Sequence, residues 1–211
     1  MKRARPYNRE TALDAALDLF WLKGFHATSL KDLEAALDMK PGSIYAAFSS
    51  KEALYLAALD RYFQRSQSVF RKIAAEGGSP MQALADLLRN FACDGRSNRS
   101  RRACMLVKTV LDTTSANAEI SERSRLYLDK LRAEITVLIE LAKSQGELPA
   151  EIEADRLARK YQALMTALRI EAHRGTDTTE LTILAEDLAR DWERTLIEAE
   201  AARQPDNTDR L

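Results

Sequence analysis

Apolar residues recur every three to four positions in segment after segment of this chain, and no stretch alternates apolar with polar as a half-buried strand would. The seven glycines and five prolines fall between the periodic segments. The pattern predicts an all-α protein. Asn8 is placed to cap a first helix with Leu13, Ala16, Leu17, Phe20 and Trp21 on its apolar face, ending at Gly24. Ser29-Leu30-Lys31-Asp32 reads as a capping box opening a short helix that carries Leu30, Leu33 and Leu37. Pro41 suits the first position of a third helix, which runs to about Phe48. Ser49-Ser50-Lys51-Glu52 reads as a second capping box. It opens a long helix with Tyr55, Leu59, Tyr62, Ser66, Val69 and Ile73 on one stripe, ended by Gly77-Gly78.

Five further helices are expected. One begins at Ser79-Pro80 with Leu84, Leu87, Leu88 and Phe91 inward, and a basic loop from Arg96 to Arg102 then leads to an apolar helix around Cys104–Leu111. A long helix spans about 118–145, broken by Gly146 and Pro149. The last two cover about 154–173 and 178–199, and the tail from Arg203 reads as disordered.

Composition narrows the class. With 45% hydrophobic and 30% charged residues, 211 residues suffice for a sizeable core. No apolar run approaches the ~18 residues of a membrane span, and Met1–Pro6 is basic with no apolar run behind it, unlike a secretory signal. The two cysteines, Cys93 and Cys104, are too few for a disulfide scaffold, and no Cys/His spacing suggests zinc. We therefore expect a cytoplasmic protein with no metal and no cofactor. Net charge is zero, but it is unevenly spread: ten Lys/Arg meet eight Asp/Glu up to Arg65, and 22 meet 24 beyond. Lys2, Arg3, Arg5 and Arg9 meet no acid in the first nine residues, either a basic arm or a solvated start.

The most informative stretch is 8–55. Two short helices joined by Asp38-Met39-Lys40 have helix-turn-helix proportions, and each is too short to persist without the longer flanking helices. The second carries Gly42, Ser43, Ala46 and Ala47, small residues that allow close approach to a major groove. Leu17-Asp18-Leu19-Phe20, Lys23 through Leu30, Gly42-Ser43-Ile44-Tyr45-Ala46-Ala47-Phe48 and Ser50-Lys51-Glu52-Ala53-Leu54 together resemble the TetR/AcrR family of regulators in order and spacing.

That resemblance implies a three-helix DNA-binding head at 1–55, with the basic arm 1–9, and a helical-bundle body at 56–202 that binds a ligand and dimerises. It implies phosphate contacts from Thr28 and Ser29 at the start of the second helix and from Lys51 at the start of the fourth. It places Lys40, Gly42, Ser43, Tyr45 and Ala46 on or beside the recognition helix. Helix N-termini favour phosphate independently of any resemblance, and a lysine there adds salt-dependent affinity. Taken alone, Lys51 is an ordinary surface lysine. Tyr45 and Phe48 also suit the core, Phe48 better than Tyr45. Two positions depart from the family pattern: Asp38 stands where a turn glycine is usual, and Lys40 where Ser or Thr usually caps.

In the body, Ala103-Cys104-Met105-Leu106-Val107-Lys108 resembles a Gly-Cys-Leu-Leu-Val stretch of one branch, some of whose members sense electrophiles or oxidants through cysteine. Arg101, Arg102 and Lys108 are placed to lower a thiol pKa, while a buried apolar cysteine remains the alternative. Phe91, Cys104, Met105, Tyr127, Tyr161 and Met165 are candidate effector-pocket residues, each also suited to ordinary core. Leu164, Leu168, Leu184, Leu188 and Trp192 are candidates for a homodimer interface. The expected function is a repressor of transcription, released from a palindromic double-stranded DNA operator by a small-molecule effector or, alternatively, by an oxidant or electrophile acting at Cys104. A helical enzyme lacks any nucleophile–base pair or phosphate loop here, and a protein–protein adaptor would leave the helix-turn-helix unexplained.

Overall fold

The computed structural model describes residues 8–93, 103–113 and 117–201; the N-terminal arm, the loop with Arg101 and Arg102, and the tail from Arg203 lie outside them. The described residues form nine helices: α1 (Arg9–Lys23), α2 (Leu30–Leu37), α3 (Pro41–Phe48), α4 (Lys51–Glu76), α5 (Pro80–Cys93), α6 (Met105–Asp112), α7 (Ala118–Ser144), α8 (Ala154–Arg174) and α9 (Thr178–Ala201). The side chain of Cys93 is also outside the described set.

Local chemistry sets most of the boundaries. Asn8 Oδ1 accepts from the amides of Glu10 (3.0 Å) and Thr11 (3.2 Å), and Gly24 ends α1 at φ 84°. A Cβ at position 24 would also lie 3.0 Å from the carboxylate of Asp112, so glycine admits α6 at that point. The capping box of α2 is complete: the Asp32 amide donates to Ser29 Oγ at 3.2 Å and the Ser29 amide donates to Asp32 Oδ2 at 2.8 Å.

The expected second box is displaced by one residue. Ser49 sits at φ 66°, outside helical space, so Ser50 is the cap and accepts from the Ala53 amide at 3.0 Å. Its N3 residue is thus Ala53, which has no side chain to reciprocate. The stripe read along α4 is also shorter than expected. Tyr55, Leu59 and Tyr62 are buried, whereas Val69 is exposed.

Two compact units result. One comprises the chain to Ser66 with Met105–Leu128; the other comprises Gln67–Cys104 with Asp129 onward. In the first, Phe20 and Phe25 meet the Tyr55 ring edge-on at 4.8 and 5.1 Å. The Tyr55 hydroxyl bonds Thr109 Oγ1 at 2.7 Å, and burial pushes its pKa up to about 12. Ion pairs join α1 to α4, with Arg61 on Glu10 and Asp14, and Arg65 on Asp14 at 2.6 Å. Lys108 donates from α6 to the carbonyl of Leu22 at 2.9 Å, serving one of the open acceptors at the end of α1.

The second unit is built on Leu84, Leu88, Leu138, Tyr161, Leu168 and Trp192, all fully buried. Tyr161 donates to the Leu84 carbonyl at 2.8 Å and meets Trp192 edge-on at 4.9 Å. Arg89 ties α5 to α9 through Glu186 (2.8 Å) and Glu193 (2.7 Å).

Asp38 closes α2 in the left-handed region, at φ 52° and ψ 43°, as a turn glycine would. An L-residue there costs roughly 1–2 kcal/mol, of which Asp escapes part. Asp38→Gly should raise stability by up to about 1 kcal/mol. A urea or thermal midpoint that stays put or falls would show that the Asp38 side chain contributes to the turn.

Candidate nucleic-acid interface

The three short segments of the head present their ends and outer faces together. Helix α3 is held by Ile44 and Phe48, both buried, which turns Gly42, Ser43, Tyr45 and Ala46 outward. Tyr45 is 42% exposed while Phe48 is 5%, so the two aromatics divide: Phe48 is core and Tyr45 is surface. A Cβ added at Gly42 would meet nothing within 4 Å, so nothing in the fold requires glycine there. Lys40 is exposed and makes no side-chain cap to α3, as expected from its replacing Ser or Thr. Pro41 at the first helical position lessens that loss, having no N–H to satisfy.

The flanks are cationic. Lys51 begins α4 with its Nζ 4.6 Å from the centre of the Phe25 ring, and burial against that ring lowers its pKa while nearby Asp32 opposes the shift. A lysine at a helix N-terminus works against the helix dipole, so its placement here is costly to the fold. Asp32 is bound to Lys23 at 2.6 Å; that bond, then the Ser29 amide, holds its carboxyl below the usual carboxylate range. Arg9 lies over the Phe48 ring at 5.1 Å, and Lys31 is exposed in the first turn of α2. Sequence reasoning passed over Lys31 and Phe25. The signal for Phe25 was its position directly after Gly24, where an aromatic has no place in α1.

Thr28 is placed differently from Ser29. It is fully buried and its hydroxyl donates to the Gly24 carbonyl at 2.6 Å, so its side chain holds the turn into α2. Ser29 is exposed, at the helix N-terminus.

The family model described as bacterial regulatory proteins, tetR family, matches residues 12–58, and that of the tetracyclin repressor-like C-terminal domain matches 80–186. This chain belongs to the TetR family. It is 28% identical to the HTH-type transcriptional repressor ComR of Escherichia coli (strain K12) over 193 residues, 90% of this chain and 92% of that protein. Its fold is similar to a cysteine mutant of the TetR family regulator CifR complexed with 26-bp double-strand operator DNA. The TM-score is 0.81 with 27% identity, covering 90% of this chain and 99% of that one. A TetR regulator from Chloroflexus aurantiacus gives a TM-score of 0.71 at 28% identity, over 86% of this chain and 92% of that one. The TetR family consists of transcriptional regulators, and no helix among the described residues is long and apolar enough to cross a membrane.

Against that family membership, the expected body sites divide. Phe91, Tyr161 and Met165 belong to the second compact unit, and Met105 and Tyr127 to the first. Tyr161 is core, its hydroxyl already bonded. Tyr127 stacks on Phe63 at 4.3 Å and donates to Asp60. Phe91 lies under the Arg169 guanidinium at 5.1 Å, and Met105 is buried. Cys104 is half-buried, outside any disulfide, and directly precedes α6. Of the three cations expected beside it, Lys108 is committed to the α1 carbonyls, and Arg101 and Arg102 lie outside the described residues.

The residues expected at a dimer interface differ in burial. Leu168 and Trp192 are fully buried within their own chain, and Leu164, Leu184 and Leu188 pack against the same core. Leu168 and Trp192 have no exposed surface in the single chain, whereas Leu164, Leu184 and Leu188 are half-buried.

Proposed function

We propose that this TetR-family chain is a homodimeric cytoplasmic repressor that binds a palindromic DNA operator through α3 and is released from it by a small-molecule effector. The observation that carries the DNA-binding reading is Gly42: the fold leaves the space beside it open, on an exposed face of small side chains flanked by Lys40, Lys51 and Lys31. A glycine that the fold does not need, at a helix start where it weakens the helix, suits close approach of an outside partner. The repressor ComR and the operator complex of CifR support the same reading. Ser29, the free amides opening α2, and Lys51 fix register on phosphate, while Ser43, Tyr45 and Ala46 face the base edges.

For the dimer, the α8 face bearing Ala163, Thr166, Ala167 and Ile170, with Ile183 of α9, adds exposed surface to the half-buried Leu164, Leu184 and Leu188 expected from sequence. The four α8 residues follow one helical stripe, and Ile170 and Ile183 are 48% and 58% exposed in the single chain. Two such copies would place two recognition helices on half-sites about one DNA turn, or a multiple, apart. Ala167→Glu should shift the protein to a monomer in sedimentation and weaken operator binding. A variant that stays dimeric would move the interface elsewhere.

Binding of the purified protein to the DNA beside its own gene, followed by fluorescence anisotropy across a salt series, tests the main proposal. No sequence-selective binding at moderate salt, in the absence of effector, would overturn it. Lys51→Ala should weaken binding to all sequences and reduce the slope of log K against log salt by about 1. An unchanged slope would remove Lys51 from the phosphate contacts. Gly42→Ala should melt no lower than the original, gaining roughly 0.5–1 kcal/mol of helix stability, and yet bind operator at least about tenfold more weakly. Full binding by that variant would show that DNA does not come close to position 42.

A further inference from the structure

Many threonine hydroxyls among the described residues have a use. Buried Thr28 donates to the Gly24 carbonyl, buried Thr109 donates to Met105 and bonds Tyr55, and the part-buried Thr113, Thr136 and Thr166 each return their proton to the carbonyl four residues back. Ser124 differs. It is fully buried on α7, and its Oγ has no hydrogen-bond partner among the described residues. Asn117, at the start of the same helix, has its Oδ1 buried and equally without a partner. Buried polar atoms left unbonded destabilise the fold that holds them, and such exceptions call for a specific cause.

The two residues are seven apart, which puts them on one helical face about 10 Å from each other along the axis. Ser121, also buried, lies between them, and Ile120 and Tyr127 flank Ser124 on the buried side. Tyr127 is stacked on Phe63 of α4, giving the face an aromatic neighbour. The charges nearby are already paired: Arg123 with Asp60 at 3.3 Å and with Glu119 at 3.7 Å, and Asp60 with the Tyr127 hydroxyl. This strip therefore offers hydrogen bonds and apolar contact, and the nearest charges given for it are tied to one another.

We propose that Ser124 and Asn117 read the polar group of the effector, and that the effector is a neutral, mainly apolar small molecule carrying an O–H or N–H donor. The complement follows from the atoms. Asn117 Oδ1 can only accept, and Ser124 Oγ can accept, so a donor satisfies either. A charged ligand would find no counter-charge here, and a pure hydrocarbon would leave both oxygens unbonded. The proposal deepens the effector-responsive reading above and depends on it.

The test uses probes that differ only by hydroxyl against methyl: phenol and toluene, 1-naphthol and 1-methylnaphthalene, 4-phenylphenol and 4-methylbiphenyl. Binding to the full chain is measured by calorimetry and by the shift in melting temperature. At least one hydroxylated probe should bind five- to a hundredfold tighter than its methyl partner, and Ser124→Ala should reduce that preference to about twofold or less. Ser124→Ala loses only an unbonded hydroxyl, so without a probe it should melt at or above the original temperature and bind operator unchanged. Asn117→Ala gives a second variant at the other end of the strip and should cut the preference severalfold.

The proposal is overturned if no hydroxylated probe is preferred, or if the preference survives in Ser124→Ala. It is also overturned if Ser124→Ala melts several degrees lower without a probe, since the hydroxyl is then already bonded in solution. Operator binding by the unmodified protein, measured alongside, keeps the two proposals apart. Its absence would remove the repressor reading and leave the probe comparison standing.

Discussion

The hydroxyl of Tyr55 is buried, and a buried hydroxyl left unbonded costs on the order of 1–3 kcal/mol. Its partner is Thr109, more than fifty residues further along the chain. Thr109 has one proton and gives it to the Met105 carbonyl, so Tyr55 must be the donor in their shared bond. The same ring is gripped edge-on by Phe20 and Phe25, and Phe25 in turn lies under the ammonium of Lys51. One side chain thus positions the end of α1, the turn after it, the start of α4 and the whole of α6. The placement of Lys51 is thereby linked, through Phe25, to a ring whose hydroxyl is held by Thr109.

Charge in the head is sorted by use. Arg61, Arg65 and Lys23 are held by Glu10, Asp14 and Asp32, and so serve to join helices. Lys31 and Lys40 stay exposed, and Lys51 rests on an aromatic face. A chain whose formal charge is zero can still carry exposed lysines on its head, because Glu10, Asp14 and Asp32 are tied to other cations.

Most of this architecture was legible in the sequence because caps are local chemistry. Asn8, Ser29 with Asp32, Pro41 and Gly24 each mark a boundary through atoms a few residues away, and all four stand where the pattern placed them. Ser49-Ser50 defeated the same logic. Either serine can cap, and the backbone torsion at Ser49, which composition does not encode, decides between them. The leucine stripes of α8 and α9 were ambiguous for a different reason. Periodicity says that a face is buried, but not whether its own chain or another copy covers it. Leu168 and Trp192 turned out to be covered by their own chain. Thr28 shows the converse limit, since a polar residue beside a cap looks exposed in sequence while its hydroxyl closes a buried turn.

The close approach of α6 to Gly24, where a Cβ would crowd Asp112, bears on how such regulators can be recombined. The family's N-terminal region ends at residue 58, a natural place to splice the head of one regulator onto the body of another. A cut there would part Tyr55 from Thr109 and the Leu22 carbonyl from Lys108. A working graft has to carry residues 105–128 along with the head, or choose a recipient whose own α6 already supplies a hydroxyl, a lysine and clearance for the glycine. The modular unit of this protein is discontinuous in sequence.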